Sequence, residues 1–215
     1  MRCILLANGE YSENLASYQK MILPGDLIVC ADGGAEYAKK MNLTPFCIVG
    51  DMDSISLETK EFYEKKQIPF RKYPRHKDLT DMQLAMAIAQ EQMIKEIIFF
   101  GSLGYRLDLT MSNLYAGLEA VKQGIKIMHY SPEMALHLVY DRLEIEGKKG
   151  ETVSVLTLTD EAAGVNLSGF EYELENTVLM KENPFSVSNR MISERAIITV
   201  EQGILAVFHY NFKEA

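Results

Sequence analysis

The feature that most constrains this chain is a series of short apolar runs, RCILLA, DLIVCA, FCIVG, EIIFFG and KIMHY, spread between Met1 and Tyr130. Each is apolar at odd and even positions alike, so as a strand it would bury both faces, and strands of that kind belong to parallel sheets covered by helices. The segments between them carry helical spacing, as at Leu114, Leu118 and Val121. Alternation of strand and helix predicts an α/β domain with a mostly parallel, Rossmann-like sheet. From about Pro132 the rhythm changes. TVSVLTL, VNLSGFEYEL and AIITVEQGILAVFHY read as strands, Glu201-Gln202-Gly203 as the loop of a hairpin, and no helical pattern intervenes. The expected organisation is an α/β domain over residues 1–135 followed by an all-β sandwich over residues 136–215, the boundary falling between roughly residues 130 and 142.

Charge narrows the partners. A net charge of -8 and a pI near 5.1 argue against nucleic acid and anionic membranes, which are bound through excess Lys and Arg. At 215 residues and 47% hydrophobic the chain can build real cores, so small molecules are the expected ligands. MRCILLANGE is too short an apolar run for a signal peptide, no later stretch approaches a membrane span, and a cytoplasmic protein is expected. Cys3, Cys30 and Cys47 lie in or beside the buried runs without ligand spacing, and read as reduced core residues.

Ligands of open α/β sheets bind beyond the carboxyl ends of the strands, and there the polar residues collect. After LIVCA comes Asp32-Gly33-Gly34, and after FCIVG comes Asp51-Met52-Asp53-Ser54. IIFFG is followed by Ser102-Leu103-Gly104-Tyr105-Arg106-Leu107-Asp108. A fourth set, Lys77-Asp78-Leu79-Thr80-Asp81, enters a helix in which Thr80 and Gln83 have capping-box spacing and Asp81 falls in the first turn.

In an extended backbone Asp51 and Asp53 would point the same way, a repulsive arrangement unless a cation lies between them. Alone, the pair fits a solvated turn as well as a metal site. Arg106 and Asp108 likewise fit an exposed ion pair, and Gly101 and Gly104 an ordinary turn. Taken together, several carboxylates with one arginine and glycine-rich turns suit magnesium carrying a polyphosphate. No Walker A or protein-kinase pattern is present.

These motifs, in this order, resemble the thiamine pyrophosphokinase family: Asp32-Gly33-Gly34-Ala35, Gly50-Asp51-Met52-Asp53-Ser54, Lys77-Asp78-Leu79-Thr80-Asp81 and Gly101 to Asp108, then Gly169-Phe170-Glu171-Tyr172, Leu179 and Ser188-Asn189. The resemblance spans nearly the whole chain. It implies an enzyme that moves the pyrophosphoryl group of ATP to the thiamine hydroxyl, giving thiamine diphosphate and AMP. It further implies Mg2+ on Asp51, Asp53 and Asp81, and nucleotide binding by Asp32, Gly33, Gly34, Gly101, Gly104 and Arg106. Catalytic roles fall to Asp78, Arg106 and Asp108, and thiamine binding to Tyr172, Ser188 and Asn189. A homodimer is implied, its active site at the subunit interface. Leu109 stands where relatives often carry His, which removes a catalytic His there, and without Trp the aromatic contact to thiamine rests on Tyr172. From the residues alone, a metal-dependent phosphohydrolase and a nucleotide sensor stay open.

Overall fold

The computed structural model describes residues 1–74, 78–104 and 106–211. Arg75, His76, Lys77 and Tyr105 lie outside the described residues. The chain forms two compact units, residues 1–116 with 129–131, and residues 117–128 with 132–215.

The first unit runs β1 (Arg2–Leu6), α1 (Leu15–Met21), β2 (Leu27–Ala31), α2 (Gly34–Lys40), β3 (Cys47–Gly50), α3 (Leu57–Lys65), β4 (Phe70–Lys72), α4 (Asp81–Glu91), β5 (Glu96–Phe100) and α5 (Leu107–Ala116). Its strands lie in the order β5-β1-β2-β3-β4, and each neighbouring pair is parallel. Two of the doubly apolar runs are strands wholly shielded on both faces, Cys3 to Leu6 and Ile97 to Phe100, whereas KIMHY alternates, with Ile127 and His129 buried and Met128 and Tyr130 partly exposed. A buried Ile, Leu or Phe is worth about 1.5–3 kcal/mol, so these runs supply the driving force and leave strand ends free to carry polar residues. Helix α4 packs its buried Met82, Ala85, Met86 and Ala89 over β1, β2 and β3. Strand order reverses at β1, which has β2 on one side and β5 on the other.

Residues beyond the first unit continue with α6 (Leu118–Lys122) and β6 (Lys126–Ser131), whose last three residues belong to the first unit. The helical spacing through Leu114, Leu118 and Val121 thus resolves into two helices parted at Gly117. The stretch expected as a boundary carries β7 (Met134–Val139), against which α6 packs. Then come β8 (Arg142–Glu146), β9 (Thr152–Thr157), β10 (Glu161–Ser168), β11 (Leu174–Met180), β12 (Asn189–Arg190), β13 (Arg195–Thr199) and β14 (Leu205–Tyr210).

The second unit is built of antiparallel pairs in two layers, β12-β9-β14-β7 and β11-β10-β13-β8. Val153, Val155 and Val207 from one layer and Ile145, Val165 and Ile198 from the other enter a common core. Two local expectations change here. The run VNLSGFEYEL is not one strand, because the chain turns at Gly169 (φ 87°), where an added methyl would lie 2.6 Å from the Arg195 carbonyl oxygen. Glu201-Gln202-Gly203 is not a hairpin loop: β13 pairs with β10 and β8, β14 with β7 and β9, so the segment crosses from one layer to the other. Gln202 bridges to Ala163 on the way, and Val200 donates its amide to the Asp141 carbonyl.

Helix α4 starts with both halves of a capping box. The Gln83 amide donates to Thr80 Oγ1 at 3.2 Å, and the Thr80 amide to Gln83 Oε1 at 2.9 Å. Thr80→Ala removes one half, and should cost about 1 kcal/mol. That corresponds to a fall in Tm of about 2–4 °C for a chain of this size, measured by thermal unfolding.

Candidate active site

The carboxyl ends of β2 and β3 place three carboxylates together. Asp32 directly follows β2 with a left-handed backbone (φ 47°), its amide donating to the Val49 carbonyl at 2.8 Å. That bond fastens the turn to β3, whose own end, Gly50, leads into Asp51. The Asp53 amide donates to Asp51 Oδ1 at 3.1 Å, closing a tight turn in which Met52 has φ 68°. Asp51 and Asp53 therefore converge through a turn rather than through the extended backbone expected of them. One oxygen from each of Asp32, Asp51 and Asp53 falls within 4.8 Å of the others.

The far side of this loop is pinned by Glu36 of α2. Its carboxylate accepts from the Ser56 amide at 2.7 Å and from Thr59 Oγ1 at 2.6 Å, and those bonds, with its proximity to Lys39, outweigh burial and hold its carboxyl below the usual range. Ser56 then caps α3, accepting from the Thr59 amide.

Asp32 is buried, only 7% exposed, and its Oδ1 meets no donor among the described residues. Burial pushes its carboxyl up; a Ser54 hydroxyl contact works against that, while the charges of Asp81 and Asp51 add to it. A buried carboxylate oxygen without a donor, facing two further carboxylates, fits a divalent cation with hard oxygen ligands. Asp81 borders the group rather than joining it. A methyl built on Gly50 would lie 3.2 Å from Asp81 Oδ1 and 3.1 Å from Asp32 Cβ, so Gly50 is the gap through which those two residues approach each other. Sequence reasoning put Asp32 among nucleotide contacts and Asp81 among metal ligands; the geometry groups Asp32 with Asp51 and Asp53.

The turn after β5 is held by side chains. Asn113 Nδ2 donates to the Ser102 carbonyl at 2.7 Å, the Gly104 amide donates to Thr110 Oγ1 at 3.2 Å, and a hydrogen bond of 2.8 Å joins Ser102 Oγ and His129 Nδ1. Gly101 has φ 65°, and a methyl there would meet the Tyr11 ring at 2.2 Å. Arg106 and Asp108, both exposed, join through two bonds, Nε to Oδ1 at 3.1 Å and Nη2 to Oδ2 at 2.5 Å. The guanidinium holds the Asp108 carboxyl below its ordinary range. Asp78 is exposed just before α4. The loop after β1, Asn8-Gly9-Glu10, was passed over in the sequence, although the strand-end rule applies to it equally. A methyl on Gly33 would meet the Asn8 side chain at 2.4 Å, and one on Gly104 would come within 3.1 Å of Glu10.

In the second unit Tyr172 is 69% exposed beside a small hollow lined also by Leu174, Phe185, Val187 and Asn189. Buried Asn189 clamps the backbone beneath it: Oδ1 accepts from the Tyr172 and Arg190 amides at 3.0 and 2.9 Å, and Nδ2 donates to the Tyr172 carbonyl at 2.6 Å. Asn189 thus presents Tyr172. Ser188, at φ 56°, donates its amide to Ser154 Oγ.

Comparison with known proteins matches two stretches of the chain to one family. Residues 18–129, more than half of the chain, match the family "Thiamin pyrophosphokinase, catalytic domain", and residues 141–205 match "Thiamin pyrophosphokinase, vitamin B1 binding domain". The chain is 27% identical over 183 residues to thiamine pyrophosphokinase of Bacillus subtilis, covering 83% of this chain and 85% of the relative. In fold it is similar to the crystal structure of the Bacillus subtilis thiamine pyrophosphokinase, with a TM-score of 0.88 at 22% identity over 99% of this chain and 100% of that one. Thiamin pyrophosphokinase from Candida albicans gives a TM-score of 0.80 at 19% identity over 97% and 88% of the two chains.

A raised carboxyl favours its protonated form, so the stability tied to Asp32 is fullest below the ordinary carboxylate range and is lost as pH climbs through the raised value. Near neutrality the cation-free protein therefore carries the cost of that charge. Asp32→Asn, isosteric and tolerant of a left-handed backbone, is expected to raise Tm at pH 7 in chelator and to flatten the loss of stability above about pH 4. The variant should also lose the Tm gain that a divalent cation gives the parent chain. An unchanged or lowered Tm in chelator would show that the Asp32 charge is already compensated.

Proposed function

The chain belongs to the thiamine pyrophosphokinase family, and from that membership we propose a site for the transfer of the pyrophosphoryl group of ATP to the thiamine hydroxyl, with thiamine diphosphate and AMP as products. The observation that carries the proposed site is the convergence of Asp32, Asp51 and Asp53 at adjacent strand ends, with a buried Asp32 oxygen that no donor meets among the described residues.

Asp32, Asp51 and Asp53, with Asp81 alongside, would hold Mg2+, the ordinary companion of a triphosphate among hard, oxygen-liganded cations. The chemistry such an ion supplies is neutralisation of the polyphosphate charge. What remains for the protein is positioning, which dominates transfers of this class. Gly33, Gly34, Gly101 and Gly104 let the neighbouring loops pack tightly, and the turns so formed would present their backbone to the nucleotide. Arg106 already engages a carboxylate through a two-bond fork, and a phosphate takes the same geometry. Asp108 or Asp78 accepts the proton of the thiamine hydroxyl, both carboxylates standing exposed at the entrance of their helices.

For thiamine we propose Tyr172 as the aromatic surface for the cationic thiazolium, a contact worth roughly 0.5–2 kcal/mol, with Ser188 and Asn189 shaping its support. A homodimer is supported by apolar side chains the second unit leaves in solvent, among them Tyr172, Val178, Phe185, Val187 and Ile192. A cytoplasmic location is supported by three buried free thiols, Cys3, Cys30 and Cys47. Among the described residues no helix is long and apolar enough to cross a membrane.

ATP labelled in its β-phosphate tests the reaction. The label should finish in the thiamine product, with AMP formed in equal amount and only when thiamine is present; label recovered in ADP, or phosphate released without thiamine, would overturn it. Asp53→Asn should lower turnover by about a hundredfold with the fold intact, since an amide is a poor replacement at a magnesium site. If subunits share sites, co-refolding that variant with Tyr172→Ala chains should restore activity beyond the sum of the two, read in assays at limiting thiamine. Strict additivity would mean that each subunit works alone.

A further inference from the structure

The nucleotide-site proposal leaves Tyr11 without a role, yet this side chain sits where the strand order reverses, the place at which open α/β sheets bind ligands. Its hydroxyl lies 3.1 Å from the Ala7 carbonyl, just past β1, and 3.1 Å from the Phe100 carbonyl at the end of β5. The same Phe100 oxygen accepts from the Ala7 amide at 2.9 Å. The ring stacks on Tyr37 of α2, with centroids 3.7 Å apart and planes 15° from parallel, and tilts against Tyr18 at 5.2 Å. The phenol is a proton donor at neutral pH by its ordinary pKa, and burial pushes that value well up.

The ring, and the turn it packs against, explain glycines in two separate turns. Gly101 has no room for a side chain because the Tyr11 ring fills the space, and Gly9 has none because the Gly101 carbonyl oxygen would lie 2.0 Å from an added methyl. Between Ala7 and Tyr11 the loop carries Asn8 against Gly33 and Glu10 against Gly104. One hydroxyl therefore closes this loop on its own start and on β5, while the loop itself abuts the turn after β2 and the turn after β5.

We propose that Tyr11 is a positioning residue for the nucleotide: by tying residues 7–11 to the ends of β1 and β5, it holds the turns at Gly33 and at Gly101 to Gly104 at the separation a polyphosphate needs. This rests on the reading above that the first unit binds ATP at these turns. Tyr11 touches no reacting atom in this scheme.

Tyr11→Phe keeps the ring, its stacking and its contact with Gly101, and deletes only the hydroxyl. Loss of one such bond is expected to raise the KM for ATP by about threefold to tenfold, with the KM for thiamine unchanged and Tm within about 2 °C of the parent. Unchanged kinetics would overturn the proposal. Equal rises in both KM values with a lowered Tm would also overturn it, since a purely structural tyrosine acts on the whole enzyme. Direct titration of an ATP analogue with magnesium into Tyr11→Phe and Asp53→Asn separates this inference from the site reading. Affinity lost in Tyr11→Phe alone sustains the tyrosine clamp and removes the carboxylate site, whereas affinity lost in Asp53→Asn alone removes the clamp and sustains the site.

Discussion

Negative charge is confined at the ends of β2 and β3, and the rest of the first unit is arranged around it. Asp32 is out of water, in a left-handed backbone tied to Val49, and it faces Asp51 and Asp53 with Asp81 close by. Left to itself such a group would relax outward into solvent. Three attachments prevent this: Glu36 grips Ser56 and Thr59 at the far end of the loop, the Asp51 carboxylate closes its own turn, and the capping box sets the start of α4 and with it Asp81. The repulsion is tolerated because the doubly buried strands beneath supply far more stabilisation than one uncompensated carboxylate removes. A cation taken up there would gain the interaction free energy that folding leaves unused.

Glycine placement serves the same end at the β1, β2 and β5 turns. Gly9, Gly33, Gly101 and Gly104 are small because another part of the site lies where their side chains would be, namely a carbonyl, Asn8, the Tyr11 ring and Glu10. That absence of side chains lets the three loops lock together. Ser102 and His129 extend this locking, with His129 stacked on Phe99 at 4.6 Å.

The second unit solves a different problem, that of exposing an aromatic ring without letting it collapse onto the core. Asn189 spends its amide on the backbone of Tyr172, which keeps the side chain outward beside Phe185 and Val187. Phe170, two residues earlier, turns inward to the shared core of the two layers. The bend at Glu171 and Tyr172, between β10 and β11, thus yields one anchor and one presented ring.

What the sequence determined by itself was whatever depends on near neighbours. The runs RCILLA, DLIVCA, FCIVG and EIIFFG declared parallel strands, Thr80 and Gln83 declared the start of α4, and polar residues after β2, β3 and β5 marked one end of the sheet as the candidate ligand side, because strand period, capping and strand-end polarity are all local. Tertiary structure decided what lies far apart in the chain. It set β13 and β14 in different layers although they are joined by a segment resembling a hairpin loop, since strand pairing is chosen by the core and not by loop length. It brought Asp32 to Asp51 and Asp53, because β2 and β3 are neighbours in the sheet and their ends therefore meet. It also set Tyr11 beneath Gly101, ninety positions along the chain. No pattern within either segment announces that contact: it exists only because the strand order reverses at β1, which places β5 beside it.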